Sequence, residues 1–284
     1  MSICYVNGSY EEKNSAMISI QDRGFNFSDG VYEVMSFFGN QVINFDKHVK
    51  RLAQSLDGLR IQKPLTNYKS LELILKKLIK LNKLDKGFVY LQITRGSSSR
   101  NHLFPKSSKP NVVIFTFTAK LDNKLILNGV KVRLTEDLRW KRCDIKSISL
   151  LPNVLEKQNA FEKGMYESWQ KRKNFITEGS TSNAFIVNRN GFIQTHPANN
   201  FILGGVTRDT LIEIAKKNKI KVIEKAFSSS DLFSSKEAFL TSTTAKILPV
   251  VKINEKSIGN GKPGKMTQVL IKMYNELVKC QIHE

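Results

Sequence analysis

The 284-residue sequence predicts an α+β fold in two domains. Strand-like and helix-like segments follow one another in mixed order, no unit of about 20–50 residues repeats, and a polar stretch at 119–128 divides the chain. The expected organisation is a small N-terminal α+β domain at 1–120, a linker at 121–128 and a larger C-terminal α+β domain at 129–284. With 40% apolar and 25% charged residues the composition is that of a globular chain, and it excludes disordered and coiled-coil classes. The longest strongly apolar run, Val112-Val113-Ile114-Phe115, stops at Thr116, far short of the roughly 18 residues of a membrane span. The start has neither the basic nor the apolar region of a secretory signal, so a cytoplasmic protein without membrane association is expected.

The elements follow in order. Residues 45–59 have helical spacing, with Val49, Leu52, Leu56 and Leu59 on one face and Asp46 as the expected N-cap. Residues 70–84 form a second amphipathic helix, its apolar face opposed by Lys76, Lys77, Lys80 and Lys83. The β-rich runs 88–94 and 111–118 flank a long polar loop at 96–105. Beyond the divide, Val130, Val132 and Leu134 alternate with charged residues as a strand. A helix is expected from 154 to 171, then a hairpin turning at Asn190-Gly191 between 184–187 and 192–194. A helix opened by Thr207 and a terminal helix at 265–278 complete the reading.

Cys4, Cys143 and Cys280 are far apart and lack metal-ligand spacing, so reduced thiols and no metal site are expected. The excess of 45 Lys+Arg over 25 Asp+Glu gives a charge of +20, which raises the question of a polyanion partner. The distribution argues against nucleic acid: the lysines are spread along the chain, with no basic tail, zinc finger or aromatic RNA-binding string.

Four groupings carry possible chemistry. Lys146 follows Arg139, Lys141 and Arg142, and neighbouring positive charge favours the neutral amine that attacks carbonyls. Read alone the signal is weak, since the chain has many lysines and most lysines face solvent. Glu178, leading Gly179-Ser180-Thr181-Ser182-Asn183, could hold a protonated ring nitrogen, or be a polar-loop carboxylate. Gly204-Gly205-Val206-Thr207 opens a helix whose free N–H groups suit an anion, or merely starts a helix. Arg100 and His102, one residue apart in an extended stretch, could clamp one carboxylate or lie on the surface. His48, His196 and His283 have no metal-type partners and read as structural or exposed.

Taken together and in order, the chain resembles the class IV, fold-type IV pyridoxal-phosphate aminotransferases, and within them the D-amino acid branch. The resemblance is carried by 18–34 (ISIQDRGFNFSDGVYEV), His48-Val49-Lys50-Arg51-Leu52, Arg100-Asn101-His102, Arg139-Trp140 through Lys146, Glu178 to Asn183, and Gly205-Val206-Thr207-Arg208. It implies a two-domain α+β architecture with pyridoxal 5′-phosphate between the domains. Lys146 then matches the Schiff-base lysine that also carries the proton from Cα, and Glu178 the carboxylate at the pyridine nitrogen. Arg51, Val206, Thr207, Ser242 and Thr243 match the phosphate-binding groups. Tyr32, Arg100 and His102 match a carboxylate trap whose arginine and histidine come from the partner subunit, implying a homodimer with shared sites. The implied activity is ping-pong transamination between a D-amino acid such as D-alanine and a 2-oxo acid, 2-oxoglutarate giving D-glutamate. Branched-chain L-aminotransferases and aminodeoxychorismate lyases share the lysine and the glutamate and are the alternatives on this fold; a basic nucleic-acid-binding protein is the alternative from another class.

Overall fold

A computed structural model of the chain describes residues 2–65, 67–120 and 122–283. It forms two compact units: Met1–Ala119 with Ile145–Ser149 and Gln281–Glu284, and Lys120–Asp144 with Leu150–Cys280.

The first unit runs β1 (Ile3–Val6), β2 (Ser9–Glu12), α1 (Arg23–Phe27), β3 (Gly30–Phe38), β4 (Gln41–Val42), α2 (Phe45–Leu59), α3 (Tyr68–Leu81), β5 (Lys86–Thr94) and β6 (Asn111–Phe117). The strands make one antiparallel sheet in the order β2-β1-β6-β5-β3-β4. Its period-2 pattern buries Val31, Met35 and Phe37 of β3 with Val89, Leu91 and Ile93 of β5. These pack with Val49, Leu52 and Leu56 of α2 and Leu71, Leu75 and Leu78 of α3 in one core. The opposite pleat presents aromatic rings, with Tyr32 stacked on Tyr90 and Tyr90 on Phe115. The short segment Ile145–Ser149 lies along the start of β3: the Tyr32 N–H donates to Lys146 O at 3.0 Å and Ile148 N–H to Gly30 O at 3.1 Å.

The second unit runs α4 (Asn123–Asn128), β7 (Val130–Glu136), α5 (Leu151–Phe161), β8 (Glu167–Arg172), β9 (Phe175–Gly179), β10 (Asn183–Val187), β11 (Ile193–Thr195), α6 (Val206–Lys217), β12 (Val222–Glu224), α7 (Ser229–Phe233), β13 (Glu237–Ser242), β14 (Lys246–Ile253), β15 (Lys256–Ser257) and α8 (Lys265–His283). The sheet order is β12-β11-β10-β13-β14-β7-β8-β9, with β15 beside β14. One face is closed by a core that includes Trp169, Ile186, Phe227, Leu240 and Leu248. β7 and β8 are parallel, and α5 lies in the crossover that such pairing requires.

Several readings need correction. The stretch expected as a single helix from 154 to 171 is α5 followed by β8. Phe161, Met165 and Trp169 recur every four residues and imitate a helical stripe. Yet Gly164 adopts φ +66°, the helix is closed by Met165 N–H donating to Ala160 O, and Tyr166 N–H starts the pairing with β7 at Lys131 O. α2 is preceded by Asn44 as N-cap, with Asp46 in its first turn. α3 ends at Leu81, short of 84. The stretch 121–128 carries α4, started by Asp122 accepting from Lys124 N–H.

Candidate active site

In the first unit the site grows from one carboxylate in the apolar face of β3. Glu33 shares that face with Val31, Met35 and Phe37 and is fully buried, a position an ionised group holds only if paired. α2 supplies the partners from one face, three residues apart. Arg51 Nε and Nη2 each donate to a Glu33 oxygen at 2.7 Å, and His48 Nδ1 lies 2.8 Å from Oε2. Burial alone would raise the Glu33 carboxyl; Arg51 and His48 outweigh it and bring it down to about 2. Burial pushes His48 below its ordinary value despite Glu33. A carboxylate only accepts, so the neutral imidazole carries its proton on Nδ1.

Lys146 sits beside this group. Its N–H donates to Ser55 Oγ at 3.1 Å and its Nζ lies 4.1 Å from the centre of the Tyr32 ring. Main-chain pairing with β3 fixes the lysine, so the side chain is presented by a rigid edge rather than a free loop. Arg100 and His102 both turn to the Phe27 ring, 5.0 and 5.3 Å from its centre, and both are exposed. Their loop is held by Arg23, whose Nη1 donates to Asn101 O at 2.6 Å and whose Nε bonds Asp29 at 2.8 Å.

In the second unit Glu178 stands near the end of β9 with donors around its oxygens. Arg139 Nη1 donates to Oε1; Asn183 Nδ2 and Leu203 N–H reach Oε2 at 2.9 and 3.0 Å. Burial pushes the carboxyl up from its ordinary value, while Arg139 and the Leu203 N–H work against it. Asn183 ties the rest together. It pairs in register with Thr241 at the end of β13, bringing Ser242 and Thr243 alongside. A Cβ added to Gly205 would lie 2.0 Å from Asn183 Oδ1, so glycine is what lets α6 begin against that amide. Gly205 provides no side-chain cap, and the first N–H groups of α6, at Val206 and Thr207, keep the anion-attracting character of a helix start. Ser242 Oγ accepts from Ala245 N–H at 3.1 Å. Next to Glu178, the turn 180–182 is held by buried Glu167, which accepts from Thr181 N–H and Oγ1 and from Ser182 Oγ.

Thus Tyr32, Arg51 and Lys146 come together in the first unit, and Glu178, Val206, Thr207, Ser242 and Thr243 in the second. Arg100 and His102 share the Phe27 ring. Sequence reasoning missed Glu33, Glu167 and Asp137, took Arg139 as a charge near Lys146 and part of a motif rather than as the partner of Glu178, and gave Asn183 no role of its own. Among the described residues no cluster of three or more His, Cys, Asp or Glu could hold a metal ion, and no helix is long and apolar enough to cross a membrane. His48 and His196 are buried; the side chain of His283 lies outside the described residues.

Residues 30–253 match the family described as amino-transferase class IV. The chain belongs to the class IV aminotransferases. It is 37% identical over 262 residues to the D-alanine aminotransferase of Bacillus licheniformis, covering 92% of each chain. It is 34% identical over 282 residues to that of Staphylococcus haemolyticus, covering 99% of each. Among solved structures it is similar to the branched-chain amino acid aminotransferase of Escherichia coli, with a TM-score of 0.90 at 22% identity over 97% of this chain and 94% of that one. It is also similar to that of Thermoproteus uzoniensis, solved with norvaline, with a TM-score of 0.88 at 23% identity over 99% and 95%. These likenesses bear out the two-domain α+β fold.

Class IV aminotransferases depend on pyridoxal phosphate, so the chain is a pyridoxal-phosphate-dependent enzyme that moves an amino group between an amino acid and a 2-oxo acid. Its residues fit that cofactor. A helix start without a side-chain cap suits the phosphate. The hydroxyls of Ser180 and Thr241 are buried beside Glu178 and Ser242 with no protein partner, as groups that meet a polar ligand would be.

Proposed function

We propose that the enzyme transaminates D-amino acids, with D-alanine as donor and 2-oxoglutarate as acceptor, giving D-glutamate by a ping-pong cycle. The observation that carries this is the similarity to D-alanine aminotransferases over nearly the entire length of both chains. The structural likeness to branched-chain enzymes, at 22–23% identity, speaks to fold alone.

In this reading Lys146 Nζ would hold the cofactor's aldehyde carbon in the resting enzyme and, once displaced from it by the substrate's amino group, would be the free amine that takes the proton from substrate Cα. When bound, the cofactor supplies the electron-accepting ring on which loss of that proton depends. Glu178 holds the ring nitrogen, and Arg51, Val206, Thr207, Ser242 and Thr243 hold the phosphate. The Glu33 fork supports the Arg51 assignment, because a guanidinium held along one edge keeps its direction. Tyr32, Arg100 and His102 bind the substrate carboxylate, and their position relative to Lys146 selects the Cα–H bond that faces Nζ, hence the D series.

The trap rests on a homodimer in which Arg100 and His102 serve the partner's site. Exposed apolar side chains support it: Met17, Ile20, Phe25 and Leu103 in the first unit, and Leu151, Val154, Leu155 and Phe161 along α5 in the second. Three unpaired cysteines fit a cytoplasmic setting. The test is the visible spectrum of the purified enzyme before and after D-alanine, L-alanine or L-leucine. A change with D-alanine alone is expected; a change with L-leucine alone would make it a branched-chain enzyme. Light scattering should give the mass of two chains.

A further inference from the structure

The cation that pairs with Glu178 is itself divided between two carboxylates. Arg139 Nη1 donates to Glu178, while its N–H, Nε and Nη2 bind Asp137 at 3.1, 2.9 and 2.8 Å. Asp137 follows the end of β7 and has no exposed side-chain surface. Its Oδ2 also accepts from Arg172 Nε at 3.0 Å and Thr177 Oγ1 at 2.9 Å. Arg172, partly exposed, closes the row by donating through Nη2 to Arg139 O and Trp140 O at 2.9 and 2.6 Å. Four charges of alternating sign, Glu178, Arg139, Asp137 and Arg172, therefore run in a line from the buried end of β9 towards the surface.

We infer that Asp137 is a positioning residue that acts through Arg139, offsetting the guanidinium's charge so that the field of Glu178 at the cofactor's ring nitrogen stays negative enough for that nitrogen to hold its proton at neutral pH. The inference rests on the reading of Glu178 proposed above. In a poorly solvated site, charges at hydrogen-bond distance act strongly on one another. An Arg139 guanidinium bound to Glu178 alone would draw that carboxylate's charge to itself and leave less for a ligand on the other side. Asp137 takes two of the guanidinium's nitrogens and supplies the counter-charge. The other titratable group facing the row cannot: the Cys143 thiol, pushed up to about 11 by burial with Glu178 and Asp137 adding to it, is neutral at pH 7. Asn183 and Leu203 give Glu178 neutral donors only. Balancing Asp137 from its far side, Arg172 lies where its charge is partly screened by water.

The experiment uses holoenzyme loaded with pyridoxal phosphate labelled with 15N in the ring, whose resonance at pH 7.5 separates protonated from unprotonated nitrogen. Asp137→Asn is expected to lower the protonated-to-unprotonated ratio at least tenfold and move the resonance towards the unprotonated position. Asp137→Glu should restore the parent signal. Asp137→Asn combined with Arg139→Gln removes the buried cation together with its counter-charge, leaving Glu178 with the neutral donors Asn183 and Leu203 and the ring nitrogen. It should also return the resonance to the protonated side, because the cation that competes for Glu178 has gone. A parent-like resonance in Asp137→Asn, with only weakened cofactor binding or a lower Tm, would show a structural brace and overturn the proposal. So would an unprotonated signal in the double variant. Glu178→Gln distinguishes the underlying reading: if that change leaves the resonance in place, it is the assignment of Glu178 that has failed.

Discussion

Replacing Glu33 by Gln keeps the shape of the side chain and removes one charge from the core of the first unit. The carboxyl stands at about 2 against an ordinary 4.5. At 1.36 kcal/mol per pKa unit, the folded protein therefore favours the ionised form by about 3 kcal/mol. Glutamine forfeits that preference and takes the carboxylate away from a guanidinium that is only 9% exposed, so a loss of about 3–5 kcal/mol is expected. Both tryptophans, Trp140 and Trp169, lie in the second unit, so fluorescence would miss the effect. Hydrogen exchange of the β3 and β5 amides reads it locally, and about 3 kcal/mol corresponds to exchange faster by roughly a hundredfold. The pH dependence gives an independent sign. The folded-state pKa is depressed, so the contribution is present above about 4.5 and is lost as pH falls towards 2. In the parent, protection of these amides, corrected for intrinsic rates, should decline across that window; in Glu33→Gln the decline should be shallower, reduced to what groups such as Asp29, held low by Arg95 and Arg23 against burial, contribute. An acceleration below about fivefold, or the same decline in both proteins, would refute the argument.

Lys146→Ala should reduce turnover by at least about a thousandfold. Its side chain lies over the Tyr32 ring, so thermal unfolding should change by about 1 kcal/mol or less. Arg100→Ala should raise KM for the amino acid more than it lowers kcat, since a carboxylate clamp binds ground and transition states alike; steady-state kinetics with D-alanine will decide it. Gly205→Ala drives a methyl to 2.0 Å from Asn183 Oδ1, which should displace the amide that Glu178 accepts from. Cofactor titration should show affinity reduced at least about tenfold, with about 1–3 kcal/mol of destabilisation from overpacking.

What could be read in the sequence follows from how each pattern arises. α2 was legible because Val49, Leu52 and Leu56 enter the core at helical spacing while the intervening residues stay polar. The β10–β11 hairpin was legible because Asn190-Gly191 carries its own turn geometry, with Gly191 at φ +81°. The same signal stood unread at Asn7-Gly8, where φ values of 50° and 109° turn β1 into β2. β8 was misread because burial on both sides removes the alternation that marks a strand: Glu167, Ser168, Trp169 and Gln170 are all inaccessible. Glu33 was legible in principle, as a charge at an inward position between Val31 and Met35, with His48 and Arg51 at matching spacing on a helix that faces it. Asp137 offered no such sign, since it lies just past a strand and its partners at 139, 172 and 177 converge only through the folding of β8 and β9.

The two units solve one electrostatic problem with opposite signs. In the first, a buried carboxylate fixes a cation: both Glu33 oxygens hold Arg51 by Nε and Nη2. In the second, a buried cation fixes a carboxylate, with Arg139 divided between Glu178 and Asp137. Each arrangement uses arginine where lysine would supply equal charge, because only a planar guanidinium can bind along one edge and still point a donor in another direction. A bare ammonium at position 51 or 139 would sit against one carboxylate and turn with it. The residues that resemble catalytic groups are thus only as well aimed as the oppositely charged neighbours that aim them, and those neighbours come from strands and helices that a local motif does not include.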